Sequence, residues 1–239
     1  MKEQNNFIQG IKDGLPICFG YLSVAFAFGI FATENGLSIL ESVLISMTNV
    51  TSAGQLAAVP IIVSGGSLLE LAVAQLVINL RYALMSVSLS QKVGESVRLL
   101  DRFIVSFVNT DEVFAVAVSN QKRVGRKYLY GLILTPFLGW SFGTLLGACA
   151  GNILPAAVTS ALGIAIYAMF VAIVIPQTKN RATAGCVLLA IALSCAFTYL
   201  PVLNKVQSGF VIIICSAVAS VIFAILAPID LPKEGNVHE

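Results

Sequence analysis

Three groups of polar residues stand in otherwise apolar surroundings. The first is Thr48-Asn49-Val50-Thr51-Ser52-Ala53-Gly54-Gln55, set between the apolar runs 39–47 and 56–63. Ser, Thr and Asn side chains compete with the backbone for hydrogen bonds, and Gly54 adds backbone freedom, so the group predicts a helix interrupted near its centre. Ser52 is placed to cap the second half-helix. The amides around Ala53, Gly54 and Gln55, with the positive end of the helix dipole, would then face a cavity suited to a carboxylate. The plainer alternative is close helix packing through small residues, with each hydroxyl bonded to a preceding carbonyl.

The second group lies in the next apolar stretch. Gln75, Asn79, Tyr82 and Ser86 are spaced four, three and four apart, which makes one polar stripe on a helix. Arg81 falls off that stripe, on a face shared with Met85 and Ser88, so this helix belongs inside a bundle. An intramembrane arginine marks a pathway, a counter-ion pair or a binding group. Its planar fork suits a carboxylate, either that of a substrate or that of Asp111 or Glu112. The alternative is an ion pair that only holds helices together. Asp111 and Glu112 form the third group with Asn109 and Thr110; adjacent on a helix, they point about a third of a turn apart. A desolvated carboxylate there could carry a proton. The alternative is two solvated acids in a cytoplasmic segment.

Other chemistry lacks its residues. The one histidine is His238, and Cys18, Cys149, Cys186, Cys195 and Cys215 sit singly in apolar runs, so neither a metal site nor a cofactor is expected. No Ser-His-Asp set or phosphate loop is present, so the chain is read as no enzyme and no ATP-driven pump. A net charge of +2 is too small to suggest nucleic acid as a partner.

These groups must be positioned by membrane helices. The apolar fraction is 57% and the charged fraction 11%, against about 25% charged in a typical soluble domain. Such a chain takes the lipid bilayer as its solvent. Seven apolar stretches run over 15–33, 38–63, 68–89, 128–150, 155–175, 182–200 and 209–227, separated by Gly-, Asn- and Pro-rich breaks. Strand alternation is absent, and backbone amides in lipid must pair internally. The expected fold is therefore all-α and polytopic: about seven transmembrane helices (six to eight) in one integral membrane domain over 1–239, the second helix interrupted. The first stretch is long enough to be a retained span and not a cleaved signal. An eighth stretch, 103–118, reads either as an interfacial helix or as a span with its middle in a wet cavity.

Loop charge does not orient the chain. Seven spans with an outside N-terminus place ten basic residues in the cytoplasm and three outside; eight spans with an inside N-terminus give nine and four. Both versions put Lys122, Arg123, Arg126 and Lys127, and the C-terminal end, in the cytoplasm. A faint repeat at an offset of 114 to 116 pairs Phe28-Gly29 with Phe142-Gly143, Gly36 with Gly151 and Pro60 with Pro176. It outlines half-repeats of about 10–95 and 125–205.

With Gly14-Leu15-Pro16 opening the first span, Ala53-Gly54-Gln55 in the second, Asn79-Leu80-Arg81-Tyr82 in the third and Thr110-Asp111-Glu112 after it, the chain resembles the AzlC-type branched-chain amino acid permeases. Beyond about Gly151 the resemblance is mainly one of length and hydropathy. Many members carry histidine where this chain has Tyr82, so a proton-handling role does not transfer to that position. The resemblance implies a secondary transporter in a bacterial inner membrane that exports leucine, isoleucine and valine. It further implies coupling to the proton motive force and a small AzlD-type membrane partner subunit. Joined to the residues, it implies that Asn49, Ser52, Ala53, Gly54, Gln55, Asn79 and Arg81 bind the amino acid, and that Asp111 or Glu112 couples the proton. A non-transporting membrane scaffold subunit is the competing reading.

Overall fold

The computed structural model describes residues 3–151, 171, 175, 178, 180–201, 203–206 and 208–227. The described residues form nine α-helices and one 3-10 turn, with β pairing limited to two isolated parallel bridges. The chain falls into two compact units, Met1–Ala168 and Met169–Glu239. The expected span 155–175 and the repeat partner Pro176 lie outside the described residues, apart from Val171 and Ile175.

The first unit is built on two long helices that run side by side in the same direction, α1 (Phe7–Glu34) and α7 (Arg126–Gly151). The Asn6 side chain accepts from the amides of Ile8 and Gln9, which starts α1 cleanly. Their contact is backbone on backbone. A Cβ added at Gly139 would come 2.6 Å from the Cys18 carbonyl oxygen, and one at Gly143 2.6 Å from that of Leu22. Gly131 and Gly147 meet Phe7 and Phe26 in the same way, while Gly10, Gly14 and Gly29 answer from α1. A bare stripe at four-residue spacing lets helices approach closely in lipid, where dispersion between packed backbones replaces the hydrophobic effect.

Between α1 and α7 the chain makes one more long helix and two short pairs. The α2 helix (Ile39–Thr48) opens with a capping box of Ser38 and Glu41 and stops at Asn49-Val50-Thr51, where the backbone leaves the helix and Thr51 is extended. The α3 helix (Ser52–Val63) comes next and ends in a turn at Gly65, whose φ of +71° suits glycine. Beyond it lie α4 (Leu68–Lys92), α5 (Leu99–Phe107), a second break at Val108-Asn109-Thr110, and α6 (Asp111–Ser119).

Hydrogen bonds settle which way these pieces run. At the end of α4 the Val124 amide donates to the Lys92 carbonyl (3.1 Å) and the Gly94 amide donates to the Val124 carbonyl (2.9 Å). The Gly125 amide donates to the Gln4 carbonyl (2.7 Å), so α4 ends on the face where α1 and α7 begin. With 25 residues, about 37 Å at the α-helical rise, α4 begins on the opposite face. The α2–α3 pair therefore enters and leaves by that opposite face. Across its tip the Gln55 Nε2 donates to the Ser46 Oγ at 2.6 Å, a contact that a straight helix would forbid between residues nine apart. By the same reasoning α5–α6 enters and leaves by the first face: Asp101 near the start of α5 binds Arg126 (2.9 Å) and Tyr130 (2.7 Å) at the start of α7.

The interruption expected in the second stretch is present, but neither 38–63 nor 103–118 crosses as a span; each folds as a re-entrant hairpin. Hydropathy reports how long and how apolar a segment is, and a stretch that turns back at a polar break has the same profile as one that continues. The arms are 9 to 12 residues long, about half the hydrocarbon thickness. Among the described residues, α1, α4, α7 and α8 (Arg181–Tyr199) are long and apolar enough to cross a membrane. A long helix followed by a hairpin thus occurs twice with opposite orientation. The period is about 60 residues, with Asn49 answered by Asn109 and Ser46 by Ser106; the repeat expected from sequence has a longer offset.

In the second unit, the Asn180 side chain accepts from the Ala182 amide to start α8. A 3-10 turn (Leu203–Lys205) leads to α9 (Ser208–Leu226), and the bare Gly185 gives room to the Phe223 ring.

Candidate functional site

The two hairpin tips meet against the middle of α4. They enclose a cavity of about 160 Å³, lined by Thr48, Asn49, Val50 and Thr51 from the first tip, Ser106, Phe107, Asn109 and Thr110 from the second, and Asn79 and Tyr82 from α4. Its amides are oriented by a chain of hydrogen bonds that starts at a backbone group. The Gly54 carbonyl can only accept, so it takes the Gln75 Nε2 (2.9 Å). The Gln75 Oε1 is then turned toward the asparagines and accepts from the Nδ2 of Asn49 (3.0 Å) and of Asn79 (3.1 Å). On the other side the Asn109 Nδ2 donates to the Ser86 Oγ at 3.2 Å.

With each amide nitrogen spent, the acceptor ends are left over. The Oδ1 atoms of Asn79 and Asn109 and the Thr51 hydroxyl are buried and have no partner among the described residues. An unpaired buried polar group costs about 1–3 kcal/mol. The residues that carry these oxygens line the cavity, and a ligand rich in N–H donors, such as an ammonium group, would satisfy them.

Gly54 makes this wiring possible, since a Cβ there would fall 2.5 Å from the Gln75 Oε1. The first-turn amides of α3 emerge at the same tip. Thr51, not Ser52, is the N-cap residue, and its side chain makes no capping bond. Ser52 is the first helical residue because Thr51 holds the extended backbone that an N-cap requires. The Gln55 amide already donates to the Thr51 carbonyl at 3.0 Å, which leaves those of Ser52, Ala53 and Gly54 as the first-turn donors.

The remaining expected residues are divided. Gln55 is fully buried behind the tip, where Ser46 links it to Thr144 of α7 at 2.6 Å, so it clamps the hairpin and does not line the cavity. Ser52, Ala53 and Gly54 sit at the tip without lining it; Asn49 and Asn79 do line it. Of the two carboxylate partners open to Arg81, the structure selects an internal one: its Nη1 lies 2.7 Å from the Asp111 Oδ2, while its Nη2 donates to the Tyr82 hydroxyl at 3.0 Å. Glu112 accepts from the Tyr21 hydroxyl on α1, and the Tyr21 ring packs edge-on against Trp140 at 5.0 Å. Asp111 and Glu112 open α6 just beyond the second tip, where its dipole favours negative charge, and they diverge toward α4 and α1 respectively.

Sequence reasoning missed Asn109, Thr110, Ser106 and Tyr82 as lining residues. The available signal was the Ser-x-x-Asn spacing shared by Ser46 with Asn49 and Ser106 with Asn109.

The comparisons with known proteins cover this same part of the molecule. The AzlC protein family matches residues 16–154, which takes in both hairpins, all of α4 and α7, and the last two-thirds of α1. The inner membrane protein YgaZ of Escherichia coli K12 is 33% identical over 182 residues, covering 73% of this chain and 74% of the relative. An uncharacterized membrane protein of Archaeoglobus fulgidus is 35% identical over 177 residues, 73% and 77% of the two chains. One from Helicobacter pylori 26695 is 23% identical over 163 residues. No solved structure matches. Since the family covers well over half of the sequence and carries both re-entrant tips, this multi-pass membrane protein belongs to the AzlC family.

Proposed function

We propose that the chain is the substrate-carrying subunit of a secondary transporter that exports branched-chain amino acids, driven by protons and assisted by a small AzlD-type membrane partner. The observation that carries this reading is that Asn79, Asn109 and Thr51, each with a buried side-chain oxygen lacking a partner among the described residues, line one small cavity between hairpins that enter from opposite faces. An amino acid matches it group by group. Its ammonium takes the oxygens of Asn79 and Asn109, its aliphatic side chain lies against Val50 and Phe107, and its carboxylate reaches past the cavity lining to the first-turn amides of α3 at the same tip. The modest volume suits a small solute; drug-sized pockets begin at about 300 Å³.

Charge gives the orientation. On the face where α1 and α7 begin lie Lys12, Lys92, Arg98, Arg102, Lys122, Arg123, Arg126 and Lys127. The opposite face has no Lys or Arg anywhere in residues 3–151, and carries Glu34, Glu41 and Glu70. The positive-inside rule places the basic face in the cytoplasm. The α5–α6 hairpin then separates the cavity from the cytoplasm and α2–α3 separates it from the outside, so movement of one hairpin at a time gives alternating access. Coupling resides in the second hairpin. A proton taken up by an Asp111 carboxylate oxygen removes the charge that holds Arg81, and so loosens α6 from α4.

Leucine efflux from cells preloaded with a leucine dipeptide tests this reading, with the chain expressed alone and with its partner. Faster efflux when both are present, abolished by collapse of the proton gradient, supports it. Unchanged efflux with both subunits in the membrane removes the leucine assignment. Binding-site substitutions that disturb assembly and leave affinity intact would favour the scaffold reading.

A further inference from the structure

Away from the tips, an open groove of about 920 Å³ runs down the outside of the first unit, between α5 and the first half of α7. Its walls are Phe103, Ile104 and Phe107 on one side and Ile133, Leu134 and Phe137 on the other. Phe103, Ile104, Phe107 and Leu134 are among the large apolar side chains left exposed, so none of the first unit's described residues covers this surface. At its mouth, on the basic face, stand Arg126 and Lys127. Arg126 gives its Nε to Asp101 and its guanidinium lies over the Tyr130 ring, 5.6 Å from the centroid, which fixes it at the mouth, while Lys127 is exposed and forms no ion pair among the described residues.

The dimensions select an occupant. From Arg126 to Phe137 the α7 wall descends 11 residues, about 16 Å, and the facing arm, α5, has 9 residues, about 13 Å. That depth is one leaflet of a hydrocarbon core of about 30 Å. A transmembrane helix of a protein partner needs the full thickness, whereas a lipid needs one leaflet for its chains and a charged seat at the headgroup level. The hairpin arm, because it stops halfway, makes a half-depth groove. We infer that this groove is a binding site for one anionic phospholipid of the leaflet on the basic face. Its acyl chains lie against Phe103, Phe107 and Leu134, and its phosphate is held by Lys127 and the Nη groups of Arg126. Phe107 faces both the groove and the cavity at the tips. A seated lipid therefore supports the hairpin arm that closes that cavity, and this holds whatever solute the cavity carries.

The full-length protein is reconstituted in vesicles of equal phosphatidylcholine and phosphatidylglycerol, extracted gently and weighed intact by native mass spectrometry. The expected wild-type result is one retained phosphatidylglycerol in strong preference to phosphatidylcholine. Lys127→Ala should lower that retention about fivefold, the effect of one basic residue near the membrane surface. Leu134→Trp fills the groove and should abolish retention, while Phe142→Trp, farther along α7 on exposed surface, leaves it unchanged. Equal retention of the two lipids, or wild-type retention in Lys127→Ala, overturns the assignment. So does a small membrane polypeptide, and no lipid, captured by a photocrosslinker on Cys in Phe103→Cys.

Discussion

The two hairpins share a geometry and differ in their chemistry. Each has arms half a bilayer deep, a non-helical break of three residues, and an extended threonine N-cap, Thr51 or Thr110, whose side chain does not cap. The residues just after the threonine set them apart. In the first tip Ser52 and Ala53 leave the start of α3 uncharged, so its amides and dipole are available to an incoming anion. In the second, Asp111 and Glu112 occupy the equivalent positions and neutralise the helix start themselves, one bound to Arg81 and the other to Tyr21. In the proposed function the same fold element is a receptor for a carboxylate on one side and a charge-bearing latch on the other. On that reading an inverted repeat supplies the symmetry that alternating access requires, and a two-residue difference divides substrate recognition from coupling.

The comparison breaks most severely if the second tip's chemistry is copied into the first. Ser52→Asp places a carboxylate at the start of α3, where the proposed function seats the substrate carboxylate. Juxtaposed like charges cost several kcal/mol, so leucine affinity measured by equilibrium binding should fall by about a hundredfold or more. Next, Asn109→Leu removes an acceptor for the ammonium group. A hydrogen bond to a charged group contributes about 1.5–3 kcal/mol, which corresponds to a 10- to 100-fold loss of affinity. Gln55→Leu, behind the tip, should by contrast leave affinity within a few fold. Asp111→Asn sharpens the comparison differently: efflux should lose its dependence on the proton gradient while leucine binding without a gradient stays within a few fold of wild type. The smallest effect belongs to Ser46→Ala, which strands the Gln55 Nε2 and the Thr144 hydroxyl. It should lower the stability of the detergent-solubilised protein by about 1–3 kcal/mol, read as an earlier thermal transition, without altering substrate preference.

Much of this was legible in the residues. The break at Asn49-Val50-Thr51 follows from a run of residues that compete for backbone hydrogen bonds, and the place of Asn79 on an inward stripe follows from helical spacing. The direction of the chain after each break does not follow from either. Whether α3 continues or turns back depends on Gln55 reaching Ser46 and on Val124 joining the end of α4 to the start of α1, contacts between residues distant in sequence. The role given to Gln55 failed for the same reason: a polar residue beside a break reads equally as ligand contact or as clamp, and only Thr144 behind it separates the two. Arg81 carried a real signal with two partners open to it, and the choice of Asp111 depended on α6 turning its first residue toward α4. Orientation is the clearest case. Read from hydropathy, the seven-span and eight-span topologies have opposite N-termini and nearly equal charge splits, ten to three and nine to four; with both polar stretches as hairpins, the two faces of residues 3–151 divide eight to none.

Both hairpins returning to their own face is the central claim, and cysteine accessibility tests it most directly. In a background with the five native cysteines replaced, Asn35→Cys and Ser64→Cys bracket α2–α3, and Glu95→Cys and Asn120→Cys bracket α5–α6. Modification by a membrane-impermeant maleimide should reach Cys at positions 35 and 64 from the outside of intact cells, and at 95 and 120 only in inverted vesicles. Labelling of positions 35 and 64 from opposite sides would make the second stretch a crossing helix and contradict the account.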